Sequence, residues 1–206
     1  MTTAGFYNSI ETESSAEFKD RGSKFLAYAF PCASTEIFKK KLQLIKKENA
    51  KAVHHCFAYR IGTDGNSFRS SDDGEPAGTA GKPILGQLDS KEVTDVAIVV
   101  ARYFGGTLLG IPGLINAYKT AASLALQVVP VIQKPVLKTY NLQFDYTRMN
   151  DVMVILKHYG CLVFRQESLL FCDMQVGIPV NRNNEILYKL AELKTVHAQP
   201  VTTTTF

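Results

Sequence analysis

A chain of 206 residues with 46% hydrophobic and 20% charged residues has the balance of a globular protein, and it is long enough for one large core or two small ones. Its net charge of +4 and pI of about 8.8 exclude a polybasic tail as the organising feature. The surplus is even, with 15 Lys+Arg against 13 Asp+Glu up to Pro130 and 8 against 6 after it, so anion binding must come from a local patch or from backbone amides.

In chain order, the opening MTTAGFYNSIETESS has neither a basic start nor an apolar core and is not expected to be a signal peptide. Residues 6–10 and 17–19 read as short strands. Residues 23–30 read as a firmer one, with Phe25, Ala27 and Ala29 on one face. Ser34 is a good helix cap, and the helix it opens carries Phe38, Leu42 and Ile45 at helical spacing with lysines opposite. Residues 53–61 (VHHCFAYRI) form the next expected strand, followed by a turn at 62–66 and a strand at 67–71. A short helix over 82–88, a buried strand over 93–101 and a helix from about 112 to 128 complete the first part. Two prolines bracket an extended piece at 128–135, which reads as a linker. Beyond it the order is strand, helix, strand, strand, helix, strand, the ferredoxin-like split unit. The expected domains are therefore 1–129 and 136–206, and the fold class is α+β.

Three segments carry chemistry-bearing residues. SSDDGEPAGTAGKP at 70–83 places Asp72, Asp73 and Glu75 among glycines and prolines, with Thr79 and Lys82 close behind. Three acids in four positions suit a hard cation. Asp73-Gly74 is equally ordinary turn chemistry, and Thr79 is placed to cap the next helix. A nucleotide P-loop is excluded, because Pro76 and Pro83 stand where its glycine and hydroxyl residue belong. RYFGGTLLGIPG at 102–113 joins a strand to a helix. Gly105 and Gly106 permit close backbone approach, and Arg102 beside a helix N-terminus suits a phosphate, although the spacing is not that of a dinucleotide loop. KAVHHCFAYR at 51–60 alternates His54, Cys56, Ala58 and Arg60 on one face with Val53, His55, Phe57 and Tyr59 on the other, a surface that either meets RNA or lies under a helix. His54 and Cys56 are too far apart along a strand for a tight nucleophile pair. The four cysteines, Cys32, Cys56, Cys161 and Cys172, show no CxxC spacing. Reduced thiols in the cytoplasm are expected, with no metal, no cofactor and no membrane partner.

AYR at 58–60, DDGEPAGTAGKPIL at 72–85, RYFGG at 102–106, the LG and GL flanking Ile111–Pro112, and AY at 117–118 together resemble the IMPACT (YigZ) family over roughly residues 23–126. Pro112 and Asn116 depart from that family's pattern, which usually has glycine and often a basic residue there. The resemblance implies an N-terminal two-layer α/β sandwich like domain IV of elongation factor G, followed by a small second domain like domain V. Both of those domains touch RNA on the ribosome. It also implies translational control, since eukaryotic members compete for an activator of a stress-responsive kinase. The expected function is thus a non-catalytic nucleic-acid- or ribosome-binding protein with no catalytic residue. Its anion-binding set would be Arg60, Arg69, Lys82, Arg102, Gly105 and Gly106, with His54, Asp72, Asp73, Glu75 and Thr79 as a neighbouring polar site. The alternatives are a metal- or phosphate-dependent enzyme using the 72–82 loop, or a protein-interaction module.

Overall fold

The computed structural model describes residues 5–168 and 171–201. They divide into two compact units, one holding Tyr7–Lys134 and the other residues 135–201 together with Gly5 and Phe6. Among the described residues, no helix is long and apolar enough to cross a membrane.

In the first unit, β2 (Ser14–Asp20), β3 (Ser23–Pro31), β4 (His54–Ile61), β5 (Ser67–Ser71) and β6 (Val96–Tyr103) form a sheet of order β2-β3-β6-β4-β5 with antiparallel neighbours throughout. The central β6, VAIVVARY, is apolar on both faces and buried on both, as a strand covered from two sides must be. It starts at Val96 rather than Val93 because Glu92 and Asp95 take left-handed backbone angles, φ 52° and 55°, which no strand accommodates. One face packs beneath α2 (Gly81–Ser90) and α3 (Gly110–Val128), through Phe25, Ala27, Cys56, Ala58, Ile98 and Val100. This layer of two helices on the sheet is the expected sandwich. The opposite face is covered in part by α1 (Thr35–Glu48), whose N-cap Ser34 accepts from the Ile37 amide at 3.3 Å.

Phe57 and Tyr59 lie under α1, packed against Phe38 with tilted rings whose centroids are 4.7 and 4.8 Å away. Of the two expectations for that surface, the one that places it under a helix holds for Phe57 and Tyr59 and the RNA-facing one is corrected, because these aromatics are core. The proline-bracketed piece holds a strand, β7 (Val131–Pro135), which pairs with β1 (Phe6–Ile10) in a separate two-stranded ribbon.

The second unit runs β8 (Leu137–Asp145), α4 (Met149–His158), β9 (Leu162–Ser168), β10 (Phe171–Pro179), α5 (Asn183–Glu192), β11 (His197–Pro200). Its sheet order is β11-β8-β10-β9, antiparallel at each pairing, the arrangement of a split βαββαβ unit. Alternation puts Tyr140, Leu142 and Phe144 of β8 and Cys172, Met174, Val176 and Ile178 of β10 against α4 and α5.

Candidate functional site

The register of β4 on β6 sets His54 directly opposite Arg102, on the same face and at one end of the sheet. The loop after β5 comes back over this end and delivers its three acids to three different partners. Asp72 turns inward. Its carboxylate accepts from the amides of Gly78, Ala80 and Gly81 at 2.8–2.9 Å, capping α2 from eight and nine positions upstream. Burial opposes ionisation of Asp72. The amides of Gly78, Gly81 and Ala80, with Lys82 nearby, outweigh it and hold the carboxyl below its ordinary value. Thr79 is not the cap: its hydroxyl donates to the Pro76 carbonyl at 2.7 Å, and α2 has no local side-chain cap.

Asp73 sits at φ 42° and ties the loop to the strand. Its carboxylate accepts from the His55 amide at 2.7 Å and lies 3.5 Å from Lys46 Nζ, while its carbonyl is 2.8 Å from His54 Nδ1. A carbonyl only accepts, so Nδ1 carries the proton and Nε2 of a neutral His54 is an acceptor, with no bond among the described residues. His55 points the other way and donates Nε2–H to the Asn49 carbonyl at 3.2 Å. Burial, partly offset by that bond, lowers its pKa.

Glu75 is buried, and one oxygen, Oε1, receives both Arg102 Nη1 at 2.6 Å and the Tyr118 hydroxyl at 2.7 Å. The Cys56 sulfur lies 3.3 Å from that hydroxyl and 2.9 Å from the Asp72 carbonyl. Burial pushes the Cys56 thiol up to about 12 and the Tyr118 phenol far above its ordinary value, so neither is a nucleophile or base near neutral pH. Breaking a buried ion pair by removing one partner costs about 3–5 kcal/mol, which marks the Glu75–Arg102 pair as part of the framework.

The expectation that Arg102 stands free to meet a phosphate is therefore corrected. It is only 6% exposed, paired, and held between the rings of Phe25 and Phe104, each 5.5 Å from the guanidinium carbon. One of its guanidinium N–H groups is bonded among the described residues, and Nε is buried without a partner. Nor do the acids gather for a cation: among the described residues no three His, Cys, Asp or Glu side chains come together as a metal site.

Gly105 is a packing glycine. A Cβ there would sit 1.9 Å from the Gly22 carbonyl carbon, so the RYFGG turn is pressed against the β2–β3 turn. Gly106, at φ 86°, faces open space. Lys82 is exposed on the first turn of α2. Arg60 belongs elsewhere, at the far end of β4 opposite Val96, bound to Asp89 and Gly65 and lying over the Phe68 ring. Arg69 is exposed on the edge strand β5 opposite Tyr59. The six expected anion-binding residues thus do not form one patch.

Two features were not singled out from the sequence. A pocket of about 410 Å³ opens where β4, β6 and the start of α3 meet, with His54, Glu75 and Arg102 among its lining and an apolar rim that includes Val53, Leu108 and Ile111. The exposure of that rim, 82% at Leu108, follows from the loop's position after β6, which hydrophobic spacing does not reveal. The other feature is charge on α1. Lys39, Lys40 and Lys47, with Lys51 just beyond the helix, are exposed and have no carboxylate within 4 Å among the described residues. The lysine run is visible in the sequence; that no carboxylate comes within 4 Å of these four among the described residues is not.

A two-unit α+β chain is defined here, with a buried ion pair and an apolar-rimmed pocket at one end of its larger sheet. The Impact N-terminal domain model matches residues 21–126. IMPACT family member YigZ of Escherichia coli (strain K12) is 34% identical over 172 residues, covering 82% of this chain and 84% of that protein. Protein IMPACT homolog of Saccharomyces cerevisiae is 41% identical over 96 residues, covering 44% of this chain and 36% of the yeast protein. A crystal structure of a hypothetical protein superposes over 97% of this chain and 98% of its own, with a TM-score of 0.76 at 28% identity. The chain belongs to the IMPACT family.

Proposed function

We propose that this protein is a non-catalytic, cytoplasmic component of translational control that binds RNA or ribosomal particles through the lysine face of α1. The observation that carries this reading is the set Lys39, Lys40, Lys47 and Lys51, exposed and with no carboxylate within 4 Å among the described residues. Unpaired surface cations attract a phosphate backbone at modest energetic cost. Family membership supports the link to translation, since the family resemblance implies that role for eukaryotic members. The three acids of the enzymatic alternative have structural duties instead: Asp72 caps a helix, Asp73 ties a loop and Glu75 pairs with an arginine.

The test is binding of a labelled single-stranded RNA, and co-sedimentation with ribosomes, between 50 and 200 mM salt. Affinity should fall with salt. Replacing Lys39, Lys40, Lys47 and Lys51 by Glu should weaken binding and flatten the logarithmic salt slope by about 0.7 for each lysine that met a phosphate. Absence of binding at low salt, or a variant that binds like the parent, overturns the reading.

A further inference from the structure

We propose that the pocket between β4, β6 and the start of α3 takes a nucleobase, an inference that rests on the RNA-binding reading above and extends it to a second contact. At about 410 Å³ the cavity falls within the range of small-ligand sites, roughly 300–1,000 Å³. Its chemistry narrows the ligand. Three polar side chains line it: the Glu75–Arg102 pair, in which Arg102 uses one guanidinium N–H on Glu75 and keeps Nη donors over, and His54, whose Nε2 accepts when the ring is neutral and has no bond among the described residues. The walls are apolar, with the half-exposed Phe104 ring lying over the Arg102 guanidinium.

An aliphatic side chain in this pocket would bury both polar groups without partners, which costs free energy for each. A phosphate or carboxylate is disfavoured for a different reason. Glu75 already neutralises Arg102, and the walls offer nothing to solvate a second anion. A neutral planar heterocycle with adjacent acceptor and donor edges satisfies both. It accepts from the guanidinium, donates to the imidazole and lays its face on Phe104, which is how single-stranded bases are held on aromatic side chains.

The pocket also adjoins the basic surface. Lys46 Nζ lies 3.5 Å from Asp73 Oδ1, and the Asp73 carbonyl holds His54, while the exposed Lys51 is two residues before the rim residue Val53. A strand whose phosphates follow α1 reaches the cavity by passing round the end of the sheet at residues 51–53.

The experiment compares a labelled RNA hexamer with the same hexamer bearing abasic riboses, by fluorescence anisotropy on the full chain at low salt. Adenosine and uridine are titrated in parallel while the amide resonances of Val53, Phe104 and Leu108 are followed. The base-bearing strand should bind about tenfold tighter than the abasic one. Phe104→Ala should remove most of that preference. So should Leu108→Ala, a truncation at an 82% exposed position where unfolding is not at issue. If the two strands bind equally while nucleosides shift the three amides, the base-binding chemistry stands and its source is a free nucleoside or nucleotide. Equal binding of both strands with no nucleoside shift overturns the pocket and leaves the RNA reading intact. Nucleoside shifts without binding of either strand keep the pocket and remove the RNA reading. Silence in every arm removes both.

Discussion

Asp72 does for α2 what an N-cap side chain does, but from outside the helix. One oxygen takes the amides of Ala80 and Gly81, donors that a helix start leaves unpaired, and the other takes the loop amide of Gly78. Losing a capping side chain costs about 1 kcal/mol, up to about 2. Because the folded state holds this carboxyl below its ordinary value of 3.8, the folded protein binds that proton more weakly than the unfolded chain. The contribution is therefore full above about pH 4 and is lost as the pH falls through the folded-state value. Asp72→Ala should lose about 1–2 kcal/mol at pH 7 in urea unfolding. The gap to the parent should narrow below pH 4, where the parent's carboxylate protonates. A gap that stays constant down to pH 2.5 would mean that the carboxylate's charge plays no part.

Among the elements, the β2–β3 turn and the turn after β6 approach so closely at Gly105 that no side chain fits between them. An added Cβ at Gly105 would lie 1.9 Å from the Gly22 carbonyl carbon, where the obstruction is main chain and cannot rotate away. Gly105→Ala should destabilise by about 1–3 kcal/mol or more, the range for overpacked positions. Gly106→Ala has open space for its Cβ, and its cost comes only from φ 86°. Thermal unfolding of the two variants should rank them in that order, and equal losses would assign the glycine pair to backbone freedom alone. Helix α1 and the βαββαβ order were legible because their signals are local: a Ser34 cap, Phe38 and Ile45 at helical spacing, and alternation in β8 and β10. The start of α2 was not, since its cap lies eight and nine residues upstream. For the site, residue density drew the eye to Asp72, Glu75 and Arg102, but their duties depend on distant partners. Glu75 meets Arg102 across 27 positions and Tyr118 across 43, and no spacing rule reaches that far.

For the molecule as a whole, the buried apolar clusters draw on separate stretches of chain. Those of the first unit run from Ile10 to Val129, and that of the second from Tyr140 to Val196 with Ala198 packed against it; no residue belongs to both sets. Each set includes facing sheet and helix residues, so each carries its own hydrophobic driving force. A cavity cut into one core should then loosen that unit without loosening the other. Leu142 is fully buried at the centre of the second cluster, and Leu142→Ala should cost about 2–5 kcal/mol there. In native-state hydrogen exchange the amides of β8 and β10 should lose protection in proportion, while those of β3 and β6 keep theirs. If protection fell equally in β3 and β6, the two cores would unfold as a single cooperative unit, and the separate burial of their apolar residues would not describe how this chain holds together.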